Sequence, residues 1–386
     1  MAQQFTKEIA GYGNSEKDGY YLIASPVGEV TPTAANGFLT SDYDLYVFDE
    51  SQNGAEWRNY EVMTEGDNPQ HANFSTLEPG KGYLYASQTT TTIEFTGTPY
   101  VGDGTFTLSK TDNVQMSGWN LVGNPYATIA SIDKTDFYVM NEAGNEIVTS
   151  ENNTIAAMQG VFVHADEAGE TVTFTPGNTD AVNQSITAQV SQNRGSVIDR
   201  VRVRFGEGRQ LPKFMLNSDN TKLYIPQGNK DYAVVRSANE GEMPVSFKAE
   251  TRGTYTLSVN AENVEMNYLH LIDNMTGADV DLLATPSYTF EATPSDYASR
   301  FRLVFSASSI SEDADGDNAF AYFNGSNWTV SNMGEATLQV VDVMGRVISS
   351  EQINGNAEVS INQPAGVYML RLVNGDSVKV QKVVVR

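Results

Sequence analysis

The chain repeats itself once, and that repeat limits what it can fold into. "GYYLIASPV" at 19–27 returns as "GWNLVGNPY" at 118–126, and "DLYVFDE" at 44–50 returns as "DFYVMNE" at 136–142. "GYLYA" at 82–86 matches "GVFVHA" at 160–165, and "TTIEFTG" matches "TVTFTPG". Even the lead-ins agree, with "FTKE" before the first copy and "FTLS" before the second. The spacing between matched words shrinks along the copies, so the first copy carries the longer loops. Two copies are too few for a solenoid, which needs three or more units to bury its faces. Residues 1–185, with copies at about 5–98 and 106–177, are therefore expected to form one two-sheet sandwich or two sandwiches packed together.

The rest of the chain is patterned the same way. Short runs of Val, Ile, Thr, Tyr and Phe alternate with polar residues and break at Gly, Asn, Asp and Pro, which predicts an all-β fold. The polar stretch "ITAQVSQNR" at 186–194 reads as the exit from the second copy. From Val197 a new series runs through "IDRVRVRF", "KLYIP", "YAVVRS", "PVSFKAE", "GTYTLSVN", "YLHLID", "YTF" and "RFRLVFS". That spacing suits a second antiparallel sandwich over 195–308. An acidic, polar linker is expected over 309–321. Residues 322–386 then make a compact sandwich of short strands.

Composition removes several function classes. The net charge of −24 argues against nucleic acid and against anionic membrane surfaces, both of which attract basic proteins. No apolar run approaches the length of a membrane span. With no cysteine there are no disulfides, thiolate metal sites or cysteine nucleophiles. The start, "MAQQFTKEIAGYG", lacks the apolar core of a signal peptide, so either the protein is intracellular or this is a mature or trimmed form.

Catalytic patterns are missing too. Of the three histidines, His164 and His270 fall in strand-like runs and His71 in a loop-like one, and no pair has metal-ligand spacing. There is no G-x-S-x-G elbow, and "EPGKGY" lacks the phosphate-loop frame, reading instead as a turn into the strand Tyr83–Ala86. Among 48 acidic residues carboxylate pairs are inevitable and point to nothing. The chain is read as a non-enzyme with no cofactor.

Two weaker candidates remain. Asp313, Asp315 and Asp317 in "DADGDN" alternate as calcium ligands do, but the glycine falls two positions early and Asn324 stands where a glutamate belongs. A solvated acidic linker is the favoured reading, with calcium as the alternative. Among Trp57, Trp119 and Trp328, Trp119 aligns with Tyr20 and is assigned to the core. Trp57 lies in "EWRNYE", read as an insertion absent from the second copy, and is the candidate ligand contact for a sugar ring.

The end of the chain is the last distinctive feature. "PAGVYMLRLVNGDSVKVQKVVVR" reads as two strands about a turn. An odd-length loop would pair Leu372 with Val378 and Leu370 with Val380, leaving Arg371, Lys379 and Lys382 on the solvent side. "LQVVDVMGRVI", "PAGVYMLRLVNG" and "VKVQKVVV" together resemble the C-terminal sorting domain of type IX secretion cargo from Bacteroidetes. The matching residues are Asp342, Gly345, Arg346, Gly366, Tyr368, Arg371, Gly375, Lys379 and Lys382.

That resemblance implies an immunoglobulin-like terminal domain and export through the periplasm to the outer-membrane surface or the medium. It also implies two partners, an outer-membrane translocon and a sortase-like peptidase. The expected function is a non-catalytic surface or secreted β-sandwich protein engaged in adhesion or glycan binding. The alternative is the accessory and sorting region of a larger secreted hydrolase.

Overall fold

A computed structural model describes residues 2–15, 18–60, 71–72, 74–177, 184–193, 195–216, 219–307, 321–323, 328–330, 334–342, 346–355, 357–360, 364, 366–374 and 377–385. Every regular element among them is a strand. The chain divides into two compact units, 1–308 and 309–386.

Within the first unit the two sequence copies use one strand order. In the first copy, Tyr21–Ala24, Gly82–Ser87, Tyr43–Phe48 and Trp57–Tyr60 lie side by side in that order, with the short strand His71–Ala72 beyond them. In the second copy the order is Trp119–Gly123, Gly160–His164, Tyr138–Met140 and Ile147–Thr149. Each copy adds a back layer, where Gln3–Ile9 pairs with Thr91–Gly97 and Thr105–Thr107 pairs with Thr171–Pro176. Each also has its own core, built on Ile23, Tyr83, Tyr85 and Phe95 in one and on Val122, Val161, Val163 and Phe174 in the other.

The copies meet about a local two-fold. Ile23 bridges Gln159, while the matched Val122 bridges Lys81. The Ala24 N–H donates to the Met158 carbonyl at 3.2 Å, and the matched Gly123 N–H donates to Gly80 at 2.9 Å. Contacts that exchange partners in this way are isologous, as in a symmetric dimer. Backbone approaches so closely here that glycine is required. A Cβ on Gly82 would sit 2.7 Å from the Val122 carbonyl oxygen, and one on Gly123 would sit 2.5 Å from that of Lys81.

The remainder of the unit is an eleven-stranded sheet whose inner face buries Val203, Ile225, Leu257, Leu271 and Leu303, among others. It begins earlier than its sequence suggests. Ser185–Gln192 is a full strand, paired with both Val197–Phe205 and Gly253–Glu262. Its alternating Ile186, Ala188 and Val190 are buried, and two of them are too small to stand out among polar neighbours. One pairing is parallel, between Val197–Phe205 and Lys230–Ser237, because Lys222–Gln227 reverses the chain between them.

This sheet is fastened to the second copy by buried charge. Arg200, Arg202 and Arg204 alternate with valines on Val197–Phe205, a pattern that would usually put cations in water. Here all three are buried. Arg204 grips Asp136 through Nε at 2.9 Å and Nη2 at 2.7 Å, Arg202 donates to the Ser150 carbonyl at 2.9 Å, and Arg200 pairs with Glu151. Lys213 and Asp199 form a second buried pair at 2.6 Å. Such pairs survive burial only when the remaining hydrogen-bonding capacity is satisfied. Asp199 meets that condition by also accepting the Leu223 N–H at 2.7 Å. Residues 1–185 and 195–308, separate modules by sequence, thus belong to one compact unit.

The second unit has two sheets. One orders Ala321–Phe323, Trp328–Val330 and Ala357–Val359; the other orders Val347–Asn354, Glu335–Asp342, Gly366–Asn374 and Ser377–Val385. Leu338, Val340, Ile353, Leu370 and Leu372 lie in its core with Val330 and Val359. The expected odd-length hairpin loop is not formed. Asn374 pairs with Ser377, leaving two residues between them, and Leu372 opposes Lys379 while Leu370 opposes Gln381. This register forgoes face matching, which the final strand tolerates because it lies at the sheet edge. Arg371 and Lys382 consequently share one row of the register and Lys379 falls in the other. Among the described residues of this unit the first strand begins at Ala321, the last residue of the expected linker.

Candidate functional site

The inward positions of the duplicated strands merge into a single apolar face. Matched residues enter it in pairs: Tyr20 with Trp119, Leu22 with Leu121, Tyr46 with Tyr138, Phe48 with Met140, Trp57 with Ile147, and Leu84 with Phe162. Leu211, Phe214, Leu216, Ala233 and Val234 pack on it from the eleven-stranded sheet and its connections. Phe214 seats its ring 4.8 Å from Phe162, 5.0 Å from Trp119 and 5.7 Å from Tyr138. The Tyr138 hydroxyl accepts the Phe214 N–H at 3.0 Å and donates to the Pro212 carbonyl at 3.2 Å. Burial raises the pKa of that phenol.

Cover is uneven. Phe162 and Tyr138 are fully buried and Trp119 is 5% exposed, whereas Tyr20, Tyr46, Phe48 and Trp57 remain half-open. Beside them lies a cavity of about 530 Å³. Its walls are Tyr20, Trp57, Leu84, Met140, Ile147 and Phe214, and its polar rim includes Asp18, Asn145, Glu146, Asn220 and Lys222. Asn145 Nδ2 donates to Asp18 at 2.8 Å and Asn220 Nδ2 to Glu146 at 2.6 Å. Hydrogen bonds from Ser15 and Asn145 hold the Asp18 carboxyl below its ordinary value. Burial pushes the Glu146 carboxyl up, with Lys222 opposing it. Apolar and aromatic walls with a few fixed polar groups are what a small-ligand or side-chain pocket requires.

The terminal unit has its own local device. Arg346 donates its backbone N–H to Asp342 Oδ1 at 2.9 Å and its Nε to Oδ2 at 2.7 Å, while the Asp342 N–H donates to the Arg346 carbonyl at 2.9 Å. One carboxylate and one guanidinium thus close the hairpin between Glu335–Asp342 and Val347–Asn354. Tyr368 Oη donates to the Pro364 carbonyl at 2.8 Å, tying the entry of its strand. Residues 324–386 match the family described as the secretion system C-terminal sorting domain. The chain is a type IX secretion cargo. Its place is therefore the cell surface or the medium, and among the described residues no helix is long and apolar enough to cross a membrane.

A comparison with curated proteins found no match. A solved structure titled "Biofilm associated protein - BSP domain" aligns over 100% of this cargo and 95% of that chain at 9% identity, with a TM-score of 0.15. A score that low carries no argument.

Several sequence candidates take on a different meaning in the folded cargo. Trp57 is not a free loop residue. It opens the strand Trp57–Tyr60 and pairs with Phe48, as Ile147 pairs with Met140, so it occupies a duplicated position. Its ring meets Phe48 at 5.1 Å and Phe162 at 5.9 Å, which makes it part of the packed face as well as a cavity wall. Trp119 is core, as its alignment suggested, and Trp328 packs in the terminal unit. His71 belongs to a short strand parallel to Trp57–Tyr60. His164 pairs with Asp166 at 3.0 Å, and burial lowers its pKa. His270 pairs with Asp279 at 2.7 Å and stacks on Tyr268.

Of the sorting residues, the terminal fold brings Asp342 and Arg346 together, while Arg371 is exposed opposite Gln339. Gly366 starts the strand that carries Tyr368. Gly345 and Gly375 lie outside the described residues, as do Asp313, Asp315 and Asp317. Among the described residues no group of three or more His, Asp or Glu could hold a metal ion. Sequence reasoning missed Tyr20, Tyr46, Asp44 and Leu84. The repeat was the signal for them, since Tyr20, Tyr46 and Leu84 align with the buried Trp119, Tyr138 and Phe162, and Asp44 aligns with the ion-paired Asp136.

Proposed function

We propose that the exported cargo acts at the cell surface as a non-catalytic adhesive protein, binding through the half-open face beside Trp57. The observation that carries this reading is the unequal cover of one duplicated face. The second copy's aromatics pack under Phe214, while Tyr20 and Trp57 of the first border a 530 Å³ cavity. A cavity with apolar and aromatic walls and a few fixed polar groups suits a ligand or a partner's side chain. A sugar ring on Trp57, with Asn145 and Asn220 at the rim, is the second reading. Export itself would use the translocon and a sortase-like peptidase as partners of the terminal unit.

The test is retention of purified full-length chain on a glycan array and on a panel of immobilised extracellular-matrix proteins. Saturable retention by at least one class, reduced in Trp57→Phe, is expected. Absence of retention on every surface, or turnover of any probe, overturns the proposal. Deleting Val378–Arg386 removes nearly all of the final strand and should hold the cargo in the periplasm. Normal display of that truncation would sink the translocon assignment.

A further inference from the structure

The second copy displays what its face accepts, and the first copy offers the same frame. Around Phe214 the seat is made by Trp119, Tyr138 and Phe162. The matched positions are Tyr20, Tyr46 and Leu84, and two of these, Tyr20 and Leu84, line the cavity together with Met140 and Ile147. The local two-fold explains that company. Phe48 and Trp57 of the first copy lie 4.9 and 5.9 Å from Phe162, so their counterparts Met140 and Ile147 fall beside Leu84. The cavity is thus the open image of the Phe214 seat.

Charge repeats as well. Asp136, at the edge of the covered seat, is held by Arg202 and Arg204. Its counterpart Asp44 is half-buried and accepts hydroxyl bonds from Tyr20 at 3.2 Å and Tyr46 at 3.0 Å. Among the described residues it meets these two hydroxyls, where Asp136 meets two guanidinium groups, and the chain carries a net charge of −24. A bound guanidinium could donate bidentate bonds to that carboxylate.

Building on the adhesive reading above, we propose that the first copy's face docks a polypeptide. The partner is a protein segment presenting one aromatic side chain to the Tyr20–Leu84–Ile147 cavity and an arginine to Asp44. It is the intermolecular counterpart of the way residues 202–216 cover the second copy. The Tyr138 hydroxyl joins the Phe214 N–H to the Pro212 carbonyl in the covered half, whereas the matched Tyr46 hydroxyl donates to Asp44 and so helps to position the carboxylate offered to the arginine.

The probe is a fluorescent synthetic peptide of residues 202–216, RVRFGEGRQLPKFML, titrated with full-length chain by anisotropy. Saturable one-to-one binding in roughly the micromolar range of weak, transient contacts is expected. A Phe214→Ala peptide should bind at least about tenfold more weakly, since buried aromatic anchors dominate such interfaces. Asp44→Asn in the protein should weaken the parent peptide by about three- to tenfold, the scale of one partly screened charge pair. A peptide with Arg202→Gln and Arg204→Gln should lose no more against Asp44→Asn, because coupled partners are non-additive.

Tyr46→Phe, which keeps the ring, gives a second reading if Asp44→Asn lowers the melting temperature. No saturable peptide binding, or binding indifferent to both variants, overturns the proposal. Retention of a glycan without the peptide would overturn this occupant but keep the adhesive role. Retention of nothing would remove both.

Discussion

The two copies share a strand order and differ in what has been laid over it. In the second copy the face carries Trp119, Tyr138 and Phe162 under Phe214, and Asp136 answers two arginines. In the first it carries Tyr20, Tyr46 and Leu84, and Asp44 meets only hydroxyls in the bonds described above. One strand order therefore carries two differently covered faces. One is an internal joint, packed under Phe214 with its carboxylate held by guanidinium; the other is half-open, with its carboxylate held by tyrosine hydroxyls. Function is expected where the duplication stayed unfinished.

Truncating the sealed half should hurt most. Phe162→Ala is expected to destabilise the chain by about 3–5 kcal/mol, and the matched Leu84→Ala by about 2–3 kcal/mol. Denaturant titration of the full chain reads both, and equal losses would erase the distinction between the halves. The carboxylates should diverge more sharply. Asp136→Asn leaves Arg202 and Arg204 buried without their counter-charge and should cost about 3 kcal/mol or more. Asp44→Asn should cost no more than about 1 kcal/mol, the scale of an ordinary hydrogen bond.

Trp57 sharpens the comparison from the open side. As a lone loop residue it would be silent in stability. Packed against Phe48 and Phe162, its loss to alanine should lower stability by about 2 kcal/mol, a fraction of a full aromatic deletion. An unchanged melting temperature would restore the loop reading.

Acid should reveal the smallest difference. Burial pushes the Glu170 carboxyl up, but Lys134, the Asp166 N–H and Arg209 outweigh it and hold it at about 2. Because its folded pKa lies below the unfolded one, its contribution is present above about pH 4.5 and fades as pH falls towards 2. His164, whose pKa burial lowers from 6.5, binds fewer protons folded, so its contribution is lost as pH falls through that value. Their counterparts in the first copy are Thr90 and Ala86, which do not titrate. Hydrogen exchange on acidification should therefore loosen 160–177 before 82–97. Simultaneous loosening would show that these groups do not set the order.

Much of this was legible beforehand. The repeat gave the strand pairs because β-branched and aromatic residues recur at fixed positions between turn residues. Sequence alone ran out where packing partners decide the outcome. The alternating arginines of Val197–Phe205 look solvent-facing until Asp136, Glu151 and two carbonyls of the second copy are placed opposite them. Ser185–Gln192 hid because Ala188 and Val190 are small. Trp57 looked like an insertion because word matching cannot see that Phe48 and Met140 hold their neighbours in equivalent register. The terminal module was the easiest to read, since Asp342 and Arg346 make their contacts within five residues of chain.

The buried arginine row also makes one packing conditional on another. Three guanidinium groups on one strand can enter an interior only against acceptors already in place, since each unpaired buried charge is prohibitive by several kcal/mol. Those acceptors belong to residues 135–151, and the strand that needs them follows at 197–205. Without the second copy's acceptors the three arginines would keep their water, and this face of the strand would stay unburied. The row thus makes burial of the later sheet conditional on a correctly built second copy, whichever forms first.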